Sequence, residues 1–322
     1  MKKLLVAVLA VVIVLSAAAF NAAEAVDRVA MVLPGVVTDL AFNQFTYEGM
    51  VRAKEEGKIK EFAYVVNVAQ DEQVEYIRQF AGEGYEVIIG QGGQFGDALA
   101  TVAEGFPETQ FIFSVATDTY GLPNLTAATV SYSHAGYLAG IMAAYTTKTN
   151  KVAMITGEWY DPHRQMEASF YEGVHSVNPD IECTAVTTGD WADSGKAYDT
   201  AKAVIAQGYD VLFPCLDAAG AGVASAAQDA TKEGTATWIV GAVADYGKDY
   251  GAEDVTVGNA IFNWEALGYV EATGEICDGQ AHVIGMKDGG IIPNYSQLSE
   301  EGIAALEAAI AGLKDGTIDI HE

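Results

Sequence analysis

The chain has 322 residues, half of them hydrophobic, with 17 lysines and arginines against 44 aspartates and glutamates, a formal net charge of −27. A surface this acidic repels nucleic acid and anionic lipid, so a small neutral or cationic partner is favoured over a polyphosphate and no nucleic-acid partner is expected. Three cysteines at this length are too few for a disulfide scaffold, and stability must come from burial in two cores of ordinary domain size.

Residues 1–25, "MKKLLVAVLAVVIVLSAAAFNAAEA", combine two lysines, an apolar run from Leu4 to Leu15 and small residues up to Ala25, which is a secretory signal pattern. That run is shorter than the ~20 apolar residues of a membrane span. The first cysteine is Cys183, so a lipid-modified N-terminal cysteine is not expected. The expected mature protein is periplasmic, unanchored and monomeric.

From Val29 onward, short β-rich runs alternate with segments of helical period. "VAMVL", "FAYVVNV", "EVIIG", "FIFSVA" and "ATVSYS" read as strands, with "FTYEGMVRAKEEG", "EQVEYIRQFAGEG" and "GDALATVAEGF" as the helices between them. Continuous apolar strands with crossover helices imply a parallel sheet covered on both faces. The scheme repeats in "KVAMIT", "ECTAVTT", "DVLFPCL" and "ATWIVGAVA". The "VAM" at Val29 returns at Val152, and "GYEVII" from Gly84 returns as "GYDVLF" from Gly208. Two anchors at nearly one offset predict two similar lobes.

After the second round, "DVTVGNAIFNWEALGYVEATGEICDGQAHVIGMKDGG" adds a strand, a helix near Trp264 to Cys277 and another strand. These read as crossings back to the first lobe and then to the second. The expected fold is therefore α/β, with two doubly wound parallel-sheet lobes joined by a three-stranded hinge. The predicted boundaries are 26–147 with 258–281 for the N-terminal lobe, and 148–257 with 282–322 for the C-terminal lobe.

Open parallel sheets bind ligands outside the carboxyl ends of their strands, so two facing sheets make a cleft lined by strand-end loops. In the first such loop, "PGVVTDLAFNQ", Phe42 can lie on a flat ring, Asn43 and Gln44 each present a donor and an acceptor, and Asp39 can accept from ring N–H or hydroxyl groups or cap the next helix. Asp118 in "SVATDTYG" has the same capacity. The glycines of "GQGGQFGD", Gly92 among them, fail dinucleotide and P-loop spacing and are expected to let backbone approach a ligand closely or simply to turn the chain. The second lobe contributes "TGEWYDPH" with Trp159, "TTGDWADSG" with Trp191, "CLDAAGAG" with Asp217, and "GAVADYG" with Asp245, a carboxylate placed to accept two hydroxyls.

Signals for catalysis are poor. The five histidines show no metal-ligand spacing, no GxSxG is present, and Cys215 in "LFPCLD" reads as a buried small hydrophobe. Neither an enzyme, a cofactor nor a metal site is expected. Cys183 and Cys215 fall on strands predicted to flank "KVAMIT" on opposite sides, too far apart to pair.

Over these loops the sequence resembles the basic membrane protein family, the purine-nucleoside-receptor type of solute-binding proteins serving ABC importers. The resemblance runs through "TDLAFNQFTYEGM", "GYLAGIMAAYTTKTNKVAMITG", "EGVHSVNPDI" and "IGMKDGGI" and covers the chain after residue 25. It implies a periplasmic-binding-protein fold of the first type, a small-molecule ligand of purine nucleoside or related heteroaromatic character, and a membrane permease as partner. Carried over, Phe42 and Asn43 would contact the base, Asp245 would hold ribose hydroxyls and Lys287 would donate into the cleft. Two departures stand out. The family's lipobox is absent, and "FNWEALGY" has Asn263-Trp264 where many nucleoside receptors carry a basic-Val-Asp pattern. That second departure resembles members taking free nucleobases, with Trp264 stacking on the ligand. A ligand-sensing ectodomain of a signalling receptor, or a receptor for riboflavin, is the alternative expectation.

Overall fold

The computed structural model describes residues 26–39 and 41–320. The signal pattern of residues 1–25 lies outside the described residues. No helix among the described residues is long and apolar enough to cross a membrane.

In the first round, β1 (Val26–Val32), β2 (Ile59–Val65), β3 (Val87–Gln91), β4 (Gln110–Ser114) and β5 (Leu125–Val130) alternate with α1 (Phe42–Glu55), α2 (Gln73–Gly82) and α3 (Gly96–Ala103). Next come α4 (Tyr132–Thr146), β6 (Lys151–Thr156), α5 (Asp161–Val177), β7 (Glu182–Thr187), α6 (Ser194–Ala206), β8 (Val211–Cys215), α7 (Gly220–Lys232), β9 (Trp238–Gly241) and α8 (Tyr246–Tyr250). The chain closes with β10 (Thr256–Phe262), α9 (Trp264–Thr273), β11 (Ala281–Ile284), β12 (Ile291–Tyr295) and α10 (Glu300–Asp315).

The strands form two six-stranded sheets, ordered β11-β5-β4-β3-β1-β2 and β12-β10-β9-β8-β6-β7. Every pairing is parallel except β10 with β12. Residues Val29 to Leu33, and all of β3, β5 and β8, are buried because helices cover both faces of each sheet. The chain therefore folds as two doubly wound α/β lobes.

The crossings lie elsewhere than the sequence suggests. Helix α4 is buried along nearly its whole length, which requires partners on several sides. It finds them in α5, α10 and strands β8 to β10, so the first crossing follows β5 at Ser131 rather than residue 147. Strand β10 pairs with β9 and β12 and belongs to the second sheet, which moves the next crossing from 257/258 to just after Phe262. Helix α9 packs on α1, and β11 pairs with β5 in the first sheet, so the third crossing lies between Ile284 and Ile291. An all-buried strand such as β10 suits either sheet, and pairing partners distant in sequence decide between them.

All three cysteines are free, with Cys183 on β7 and Cys215 on β8 separated by β6.

Three helix pairs pack at backbone distance through glycine, α6 against α7 at Gly222 among them. A Cβ on Gly49 of α1 would lie 2.3 Å from the Glu265 carbonyl oxygen, and one on Gly268 of α9 would lie 2.2 Å from that of Thr46. On α4, Gly140 approaches the Phe170 carbonyl of α5 as closely. The α1–α9 pair matters for the site, because α1 and α9 each present their N-terminal residues to the cleft.

Candidate ligand-binding site

A cavity of about 650 Å³ lies between the carboxyl ends of the two sheets, within the range typical of small-molecule sites. Its first wall grows from the β1–α1 loop. Asp39 Oδ1 accepts from the backbone N–H of Ala41 and Gln44, each at 3.0 Å, and Oδ2 accepts from the Asn43 N–H at 3.1 Å. The carboxylate thus caps α1 by satisfying donors that helix geometry leaves open. Oδ2 also accepts from Asn43 Nδ2 at 2.7 Å, which turns the amide so that Asn43 Oδ1 is buried without a partner. Gly35 makes this possible, since a Cβ there would fall 2.6 Å from Asn43 Nδ2.

Aromatic rings fill the hinge. Asn263 caps α9 through the Ala266 N–H at 3.1 Å and so starts the helix at Trp264, whose ring is 2% exposed. The Trp264 ring meets Phe42 edge-on at 5.1 Å and Phe262 at 5.0 Å, and Phe262 lies 4.5 Å from Tyr132. Tyr132 and Phe262 flank two of the crossings, so the cluster sits where the lobes pivot. Trp264 Nε1, a donor only, is buried without a partner.

The opposite wall comes from the second lobe. Trp191 stacks with Tyr160 at 6.4 Å and 15°, and lies flat over the end of β6, where a Cβ on Gly157 would sit 2.3 Å from its ring. His163, at the start of α5, contacts Trp191 at 4.9 Å and Tyr132 at 5.1 Å. Burial pushes its pKa down to about 4, so the imidazole is neutral at physiological pH, and Nδ1 has no partner.

Asp217 closes the cavity at the end of β8. The β8–β9 ladder stops at Leu212, before Pro214, which has no N–H to offer a neighbour, while pairing with β6 continues to Cys215. The Asp217 carboxyl faces the Phe42 backbone N–H across the cleft, which holds its pKa down slightly. Burial first, and then Asp39, push its pKa up to about 7. The lining contains the carboxylates of Asp39, Glu158, Asp190 and Asp217 and, among the described residues, no lysine or arginine.

Comparison with known proteins settles the family. Residues 26–313 match the model of the ABC transporter substrate-binding proteins of PnrA-like (Bmp) type. The chain belongs to this family. Its members are solute-binding proteins rather than enzymes, so the chain is the substrate-binding protein of an ABC transport system. It is 30% identical to the ABC transporter nucleoside-binding protein BmpA of Lactococcus lactis over 64% of this chain, an alignment spanning 60% of that protein. It is 27% identical to a CD4+ T-cell-stimulating antigen of Listeria monocytogenes over 89% of this chain and 86% of that one. A purine-binding protein of Brucella abortus is 29% identical over half of this chain and 46% of its own length. Among solved structures, a solute-binding protein from Aeropyrum pernix superposes with a TM-score of 0.78 at 18% identity, covering 91% of this chain and 92% of that one, which shows the fold.

In this PnrA-like chain the residues expected at the site divide into two groups. Asp39, Phe42, Asn43, Gly92, Asp217 and Trp264 line one cavity. Five others do not. Asp245 caps α8 through the Lys248 N–H and is held by the side-chain amides of Asn259 and Asn294, with which it lines a separate pocket. Lys287 is exposed in the turn after β11, and Asp118 is exposed with its carboxylate bonded to the Tyr120 N–H. Gln44 donates to Glu48 along α1, and Trp159 lies under the Arg164 guanidinium at 3.6 Å. Tyr132, His163 and Tyr160 line the cavity without having been singled out. The adjacency of Tyr160 and His163 in "TGEWYDPH" was the available signal, and Tyr132 had none beyond following a strand.

Proposed function

We propose that this substrate-binding protein closes its lobes over a purine nucleoside or free purine base outside the cytoplasm and delivers it to a membrane permease. One observation carries the reading. Three buried polar atoms, Asn43 Oδ1, Trp264 Nε1 and His163 Nδ1, lack partners, and all three belong to residues lining a cavity walled by Phe42, Trp264, Tyr132, Phe262 and Trp191. Buried polar atoms are normally paired, so an unpaired set around aromatic walls is what a flat guest with donors and acceptors on its rim would complete. The names of the Lactococcus and Brucella relatives point to the same chemistry. The absence of lysine and arginine from the lining favours a nucleoside or base over a nucleotide.

Native mass spectrometry of protein purified without refolding is expected to show a retained purine mass. A thermal-shift panel of purines, pyrimidines and riboflavin tests the same point. Ligand at a hundred times its Kd stabilises by about 2.7 kcal/mol. A panel in which no purine raises the melting temperature would overturn the proposal.

A further inference from the structure

Asp217 is half-buried in the lining of the cleft, among the aromatic side chains of Phe42, Tyr132, Phe262 and Trp264. The groups facing it are Asp39 from the β1–α1 loop, Tyr132 from α4, Cys215 from β8, and Tyr246 and Tyr250 from α8. Of these, only Asp39 is a second carboxylate, and its oxygens are occupied by three backbone N–H groups and the Asn43 amide. Asp217 faces the Phe42 amide and lines the cavity beside it, and a carboxylate has more acceptor directions than that one amide can fill. Tyr132 packs on Phe262 and Trp264, so aromatic side chains border the space that Asp217 lines. Asn43, His163 and Trp264, each more than nine-tenths buried, line the same cavity and carry buried polar atoms without partners.

We propose that Asp217 sets the specificity of the cleft. As an ionised carboxylate it takes an amino group or protonated ring nitrogen from the guest, so the preferred cargo is an amino-substituted heteroaromatic, neutral or cationic, without phosphate. This deepens the purine reading and rests on it. An oxo group in the same place would meet the ionised carboxylate acceptor against acceptor and would be taken only by the protonated form, which is lost as pH rises through 7. A phosphate would enter a cavity lined by four carboxylates and no cationic side chain.

The arrangement also links binding to a proton. Burial and Asp39 hold the Asp217 carboxyl at about 7, and accepting a donor as a carboxylate expels its proton. The ionised fraction then rises from about a tenth at pH 6 to about nine-tenths at pH 8, so affinity for an amino ligand rises roughly tenfold over that interval.

The test is calorimetric titration of the whole chain with adenine, hypoxanthine, adenosine, inosine and AMP at pH 6 and 8, repeated with Asp217→Asn. At pH 8 adenine is expected to bind at least tenfold tighter than hypoxanthine, and adenosine than inosine, with the amino ligands tightening and the oxo ligands weakening from pH 6 to pH 8, and with AMP excluded. Asp217→Asn should flatten the pH response and collapse the amino-to-oxo ratio. The wild-type panel decides alone if that variant does not fold. Equal affinity for amino and oxo ligands at pH 8 overturns the selectivity and leaves the purine reading standing. Discrimination between nucleoside and base, with none between amino and oxo, assigns the carboxylate to the sugar and overturns the proposal. Failure of all five to bind overturns both.

Discussion

Glu271 on α9 is fully buried, and neither of its carboxylate oxygens has a hydrogen-bond partner within normal geometry. It faces Ser114 at the end of β4, beside Gln91 at the end of β3, whose Nε2 donates to Thr46 Oγ1 at 2.7 Å. Gln91 Oε1 and Ser114 Oγ are likewise unpartnered. The cluster holds more acceptors than donors, and a proton on Glu271 supplies the missing donor. Burial pushes its pKa from 4.5 up to about 8, against a smaller opposing contribution from Ser114. With the folded value raised, the native state keeps a proton that the unfolded chain has released. The resulting stability is complete below pH 4.5, is lost as pH rises toward 8, and changes no further above it. At 1.36 kcal/mol per pH unit the loss reaches about 3 kcal/mol by pH 7. Glu271→Gln keeps the shape and a donor while removing the titration. It should therefore stabilise the protein by roughly 2–3 kcal/mol at pH 7, with an advantage that shrinks toward pH 5. Urea denaturation of both proteins at pH 5, 6, 7 and 8 reads the difference directly. A difference independent of pH, or a variant less stable at pH 7 than at pH 5 relative to wild type, would refute the reasoning.

Three further outcomes are expected. Trp264→Phe keeps a ring against Phe42 but removes the unpartnered N–H. It should weaken purine binding about tenfold by calorimetry while leaving stability unchanged or slightly higher, and an unaltered affinity would remove Nε1 from the site. Gly268→Ala forces a Cβ toward the Thr46 carbonyl, so α9 must move off α1. A loss of about 1–3 kcal/mol in denaturation, with weakened ligand affinity, is expected, and retention of both would mean that the helix contact does not position the rings. Labelling of unfolded, unreduced protein should find three reactive thiols, and fewer would show a disulfide absent from this structure.

Much of the architecture was legible in local pattern. Runs such as "EVIIG" and "DVLFPCL" are apolar on both faces, which a strand tolerates only inside a covered parallel sheet, and the returning "VAM" and "GYDVLF" announced a second lobe. The β1–α1 loop was also readable, because an acid, a ring and an amide at a strand's carboxyl end have few structural uses beyond capping and binding. Asp39 does the first and lines the cavity as well.

What the sequence by itself determined was therefore the alternation of strands and helices, the pairing of two lobes, and which loops would meet at the cleft. Tertiary structure alone decided which side chains in those loops face inward. Asp245 follows an apolar strand as Asp217 does, yet Asn259 and Asn294, distant in sequence, draw its carboxylate away, while Asp217 is left open across from Asp39. The same holds for Trp191 against Trp159, where Gly157 leaves room for one ring and Arg164 covers the other. Strand and helix periods are short-range properties written in neighbouring residues, whereas the direction of a loop side chain is set by whichever partner the folded chain brings within hydrogen-bonding reach.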